Sequence, residues 1–136
     1  MSVETFRFPR RRPILIFCLA GVFLLGLALG SVSLSGFLFV ALFALVIAAI
    51  GASEWRYAVL VREANIEAGS FSRVHYELSN AKTISVRRVK GGRVGAVEFQ
   101  DGAKLALDGG IERFDELLAL ISSRTSLPVT RPGWDP

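Results

Sequence analysis

Between Pro13 and Glu54 the chain runs through 40 residues, 14–53, without one charged side chain. Few folds accept such a run. A hydrocarbon core about 30 Å thick is crossed by about 20 residues, each rising about 1.5 Å, so two crossings fit the run and one does not. The break falls at Gly30-Ser31-Val32-Ser33-Leu34-Ser35-Gly36, where the chain turns small and polar. The expected organisation is a helical hairpin over 14–53, with spans of about 14–30 and 36–53, preceded by a basic cytoplasmic tail over 1–13.

Orientation follows from the flanking cations, because Lys and Arg accumulate on the cytoplasmic side of a span. Arg7, Arg10, Arg11 and Arg12 precede the first span, Arg56 and Arg62 follow the second, and the connecting turn carries no charge. Both termini are therefore expected in the cytoplasm, with Trp55 and Tyr57 as interfacial anchors. A cleaved signal peptide is the rival reading, since a basic start, an apolar run and Ala28-Leu29-Gly30 imitate a processing site. Cleavage would leave a single span with its basic residues on the carboxyl side. The lone Cys18 excludes an intrachain disulfide and any site built from several cysteines.

The formal charge of +4 does not point to nucleic acid, because the four arginines of the tail against Glu4 account for most of it. Downstream of Glu54 the charges nearly cancel, and a basic segment beside a span is the usual orientation signal.

After Trp55 the pattern changes to short runs separated by turns. Residues 57–61 are apolar on both faces, which suits a strand covered on both sides or lying against a membrane. Weaker strands are expected at 65–67 and 72–78. Ile84 and Val86 then share a strand face, Gly91-Gly92 reads as a hairpin turn, and Gly95, Val97 and Phe99 share the next face. Asp101-Gly102 is a further turn, followed by alternation of Ala103, Leu105 and Leu107 with Lys104 and Asp108. Ile111, Phe114, Leu118 and Ile121 recur at helical spacing and predict an amphipathic helix over 111–123. Pro128, Pro132 and Pro136 predict a disordered tail over 125–136.

Antiparallel strands closed by one helix over 55–124 make an α+β domain with a single modest core. The order of a tyrosine-bearing strand just after a span, Val74-His75-Tyr76-Glu77-Leu78 ahead of Ile84-Ser85-Val86, Val97-Glu98-Phe99-Gln100-Asp101-Gly102 and a closing helix resembles the bacterial pleckstrin-homology-like domains of small membrane proteins. The resemblance implies a small antiparallel sheet or partly open barrel capped by the helix, in a bacterial inner-membrane protein, with no reaction and no cofactor. Eukaryotic relatives hold inositol phosphates around their first hairpin; here that turn offers mainly Arg62, next to Glu63, so this recognition does not carry over.

Three sets of residues are candidates for function. Arg87, Arg88, Lys90 and Arg93 surround a glycine turn and suit lipid phosphates, although a solvated hairpin tip has the same composition. His75, the sole histidine, has Tyr76 and Glu77 as neighbours; a strand turns Tyr76 to the other face, which favours a structural role over that of a general base. Gly26 with Gly30, and Ala44 with Ala48 and Ala52, have the four-residue spacing that lets helices approach closely, more simply within one hairpin than toward another protein. No phosphate loop, nucleophile elbow or metal-spaced carboxylate cluster occurs, so no enzyme and no metal site are expected. The expected function is a membrane-anchored binding or scaffolding module whose partners are membrane proteins or lipid headgroups. The alternative is an accessory or assembly subunit of a larger membrane complex.

Overall fold

The computed structural model describes residues 3–30 and 33–132. The chain forms two compact units, Pro9–Tyr57 and a second one built from both flanks of the first.

The helical unit contains α1 (Arg11–Leu29) and α2 (Leu34–Arg56). Pro13 lies in the first turn of α1, where a missing N–H removes no helical hydrogen bond. Ser33 opens α2 by accepting a hydrogen bond from the Gly36 N–H on its side chain. The seam between the helices is one face of each. Pro13, Ile16, Ala20, Phe23 and Leu27 of α1 face Gly36, Val40, Ala44, Ile47 and Gly51 of α2, at intervals of three and four. A Cβ on Gly51 would lie 3.1 Å from Ile16 and 3.2 Å from the Phe17 ring, which makes this a point of close approach. Phe23 meets Phe43 edge-on with ring centroids 5.2 Å apart. Both helices, at 19 and 23 residues, are long and apolar enough to cross a membrane, and only 11% of the most apolar window of each is buried.

The second unit contains two sheets and a helix. The first sheet is an antiparallel meander in the order β1 (Glu4–Arg7), β2 (Ala58–Val61), β3 (Asn65–Gly69) and β4 (Val74–Glu77). A short 3₁₀ turn, Leu78–Asn80, leads to β5 (Ala81–Val89), β6 (Gly92–Phe99) and β7 (Lys104–Asp108). Helix α3 (Phe114–Thr125) follows, and β8 (Val129–Thr130) returns beside β5 to complete the order β7-β6-β5-β8. The architecture is thus α+β, with two apolar helices, one antiparallel and one mixed sheet, and a helix near the carboxyl end.

The core follows from alternation. Phe6, Val59, Val61, Ile66 and Ala68 are buried on one face of the first sheet. Ile84, Val86, Val97, Phe99, Leu105 and Leu107 are buried on one face of the second. Tyr76 of β4 stacks on Phe99 of β6 at 4.9 Å. Phe114, Leu117, Leu118 and Ile121 form the buried stripe of α3. A Cβ on Gly95 would lie 3.1 Å from the Phe114 ring, so the helix rests directly on β6.

Both ends of the chain depart from expectation. The basic tail expected over 1–13 contains β1, which pairs with β2 from Glu4↔Val61 to Arg7↔Ala58 and buries Phe6. Four residues are too few to show a period, and their strand identity comes from pairing with residues more than fifty positions away. The expected disordered segment contains β8, held parallel to β5 at Ile84↔Val129 and Ser85↔Thr130. Its last four residues, 133–136, lie outside the described residues. The closing helix begins at Phe114 rather than at 111, because Arg113 at its start adopts the left-handed conformation (φ 59°). Ile111 is buried from the preceding loop. The hairpin turn is Lys90-Gly91, with Gly92 already paired to Val89; Gly91, at φ 100°, takes the left-handed position.

Candidate functional site

The four cations expected at one hairpin do not share one face. Strand alternation sends Arg87 to the face of Ser85 and Val89, and Arg88 to the opposite face. Arg88 and Arg93 are direct cross-strand partners, a like-charge pairing that is unfavourable unless one charge is engaged elsewhere. Arg93 is so engaged. Its guanidinium binds Asp115 of α3 through three hydrogen bonds of 2.9–3.2 Å and lies over the Phe114 ring, 5.4 Å from the centroid. It ties the hairpin to the helix, and Arg87, Arg88 and Lys90 are exposed toward the tip.

The face that carries Arg87 is shallow and concave. Short side chains on adjacent strands, Ser85 on β5 and Ala96 on β6, leave a depression of about 300 Å³ bordered by Val89, Val94 and the Glu98–Lys104 pair. Lys104 Nζ donates to Glu98 at 2.7 Å, and this hydrogen bond, with the attendant charge attraction, holds the Glu98 carboxyl below its ordinary value. The Thr83 hydroxyl also donates to Glu98 at 3.4 Å. The depression is thus lined by Ser85, Val89, Val94 and Ala96, with Arg87 and the Glu98–Lys104 pair at its border.

The other edge of β5 carries β8. Thr130 Oγ1 donates to the Ile84 carbonyl at 2.9 Å, and Ser122 Oγ of α3 donates to the Leu127 carbonyl at 2.5 Å. The returning segment is thus fastened to both the strand and the helix.

At the opposite end of the chain, β1 is locked from two sides. Beyond its pairing with β2, the Glu112 N–H donates to the Arg7 carbonyl at 2.8 Å. Arg113 lies over the Phe6 ring, 5.4 Å from the centroid, while its Nε donates to Glu116 at 2.8 Å. The hydrogen bond to Arg113 lowers the Glu116 carboxyl from its ordinary value, and the same bond raises the Arg113 guanidinium. A cavity of about 320 Å³ lies between Thr5, Phe6, Arg7, Glu112 and Arg113.

His75 is exposed on β4, directly opposite Glu67 of β3, with Nδ1 3.6 Å from the carboxylate; Arg62 approaches the same group at 3.5 Å. This charge cluster on one face of the first sheet pairs residues eight positions apart, which only the β3–β4 register reveals. Tyr76 points to the other face, onto Phe99.

In the helical unit, Ala44 lies in the seam, Ala48 and Ala52 are half-buried beside it, and Gly51, one position from Ala52, makes the close contact. Gly26 is off the seam with nothing within 4 Å of the position of a Cβ, as is Gly21. Gly30 closes α1, its N–H donating to the Gly26 carbonyl at 3.1 Å. Trp55 is exposed on the last turn of α2, and Tyr57 ends that helix with its N–H donating to the Ser53 carbonyl.

In comparison with known proteins, no family model and no curated sequence matches the chain.

Proposed function

We propose that this chain is a membrane-anchored, non-catalytic binding or scaffolding module of pleckstrin-homology-like fold, held at the cytoplasmic face by a transmembrane hairpin. The observation that carries this reading is the pairing of β1 with β2 across the helical unit. Three residues, Phe8 to Arg10, separate β1 from α1, and Tyr57 alone separates α2 from β2. The strands pair directly at Arg7↔Ala58, which supports a hairpin whose two ends lie on the same side. This agrees with the flanking arginines and with retention of the first helix, since cleavage near Ala28 would remove β1. The pleckstrin-homology-like part of this reading is supported by a strand-rich unit in which α3 follows β7, since the resemblance implies a small antiparallel sheet or partly open barrel capped by a helix. Two short connections keep the domain near the bilayer, where a partner at the same surface is met at high effective concentration and a weak contact suffices.

A second reading, an accessory subunit held through its helices, is favoured by one observation. Gly21 and Gly26 are exposed on α1, away from the seam.

In-cell crosslinking separates the two. Photoreactive residues at Arg87 or Lys104 should capture membrane proteins, and flexible inserts of about 20 residues after both Phe8 and Tyr57 should weaken capture while leaving insertion intact. Capture of mainly soluble proteins, or capture only from outward helix positions such as Leu25 and Gly26, would contradict the module.

A further inference from the structure

The two edges of β5 are used very differently. β6 pairs with it from Ala81 to Val89, whereas β8 occupies the other edge only at Ile84 and Ser85. β8 is a weak occupant. It is two residues long, and parallel pairing is slightly less stable per residue than antiparallel. Leu127 and Val129 are only half-buried, and side-chain hydroxyls of Ser122 and Thr130 supply fastening. Extending the same register would set Arg131 against Val86 and Pro132 against Arg87. Proline has no N–H for a ladder, and Arg131 would run toward a basic strand end. From Lys82 to Lys90 the segment bears four cations and no acid.

We propose that this edge of β5 is a strand-addition site for an acidic, extended protein segment, and that β8 is its displaceable self-occupant. An incoming strand of five or six residues would replace β8 at Ile84 and Ser85 and run on along the edge to Val89, where carboxylates on one face would meet Arg87 and the end of the segment would approach Lys90 in the turn. Main-chain hydrogen bonds would supply affinity and the cations selectivity. Self-occupancy sets a threshold, because a segment must displace β8 and apparent affinity falls with the fraction of open sites. This proposal rests on the binding-module reading and names the chemistry of its partner.

The test uses the full chain in detergent micelles and a fluorescent peptide of alternating Glu and Val, about eight residues long, within ordinary strand length. Deleting residues 128–136 should tighten binding at least about tenfold, the factor expected if the intact edge is open about one time in ten. Ser122→Ala with Thr130→Ala, which keeps the tail, should shift affinity in the same direction by less. Arg87→Glu with Lys90→Glu should abolish the gain, and a Lys-Val peptide should not bind. Equal binding of both peptides, no binding to the truncated chain, or displacement of β8 by anionic vesicles but not by peptide would overturn the proposal. If the truncated chain still captures membrane proteins in cells while the peptide fails to bind, the edge assignment falls and the module stands. If capture also disappears, both fall.

Discussion

The first and last strands of this chain are both short and peripheral, yet they are held by different physics. β1 has four residues in antiparallel register, a phenylalanine in the core, and further contacts from Glu112 and Arg113. β8 has two residues in parallel register, no fully buried side chain, and hydroxyl hydrogen bonds as fasteners. A terminal strand becomes part of the fold when it contributes a large apolar side chain. One that contributes mainly main-chain and hydroxyl bonds can come and go, because each such bond is worth about 1 kcal/mol net.

The largest loss of stability is expected from Phe6→Ala. Truncating a buried phenylalanine costs about 3–5 kcal/mol, so denaturant unfolding of the β unit, followed in micelles, should shift by that amount. Deleting residues 128–136 should cost less than half as much; equal losses would put the two strands in one class. Gly95→Leu comes next. Overpacking the contact with Phe114 and Leu118 should destabilise by about 1–3 kcal/mol, and hydrogen exchange should show protection lost at Ile84 and Ser85 before Val59 and Val61. The reverse order would contradict the ranking of the strands.

A smaller effect comes from the charges beside the depression. Glu98 is held below its ordinary value by Lys104, so its contribution to stability is present above the unfolded carboxylate value and fades as pH falls through the folded one. Lys104→Ala should move the Glu98 titration, followed by carboxyl NMR shifts, up toward the ordinary range. The stability difference between variant and parent should vanish in acid. An unchanged titration would mean that the pair is not formed in solution.

The sequence carried the fold where structure is local. The uncharged run gave two helices, the glycine turns gave β5 to β7, and the spacing of Phe114, Leu118 and Ile121 gave the stripe of α3. What escaped depends on distance along the chain. Phe6 carries no period, and its strand exists because Val59 and Val61 lie beside it in space. β8 was hidden by the prolines that flank it. Gly51 was missed because a helix apolar on every side does not announce which face meets its neighbour. The basic hairpin was legible as composition, but the engagement of Arg93 with Asp115 was not, since it is set by how α3 lies on β6.

The helical hairpin is inserted between two strands that pair with each other. Thr5 and Leu60 are direct partners in that pairing, and opposite residues of antiparallel strands have Cα atoms about 4.5–5.5 Å apart, within the range a disulfide spans. Thr5→Cys with Leu60→Cys, on a Cys18→Ser background and in native membranes, should oxidise to an intramolecular disulfide seen by mass spectrometry. Failure to form the bond, with the two cysteines reacting with impermeant reagents from opposite sides of the membrane, would contradict the account.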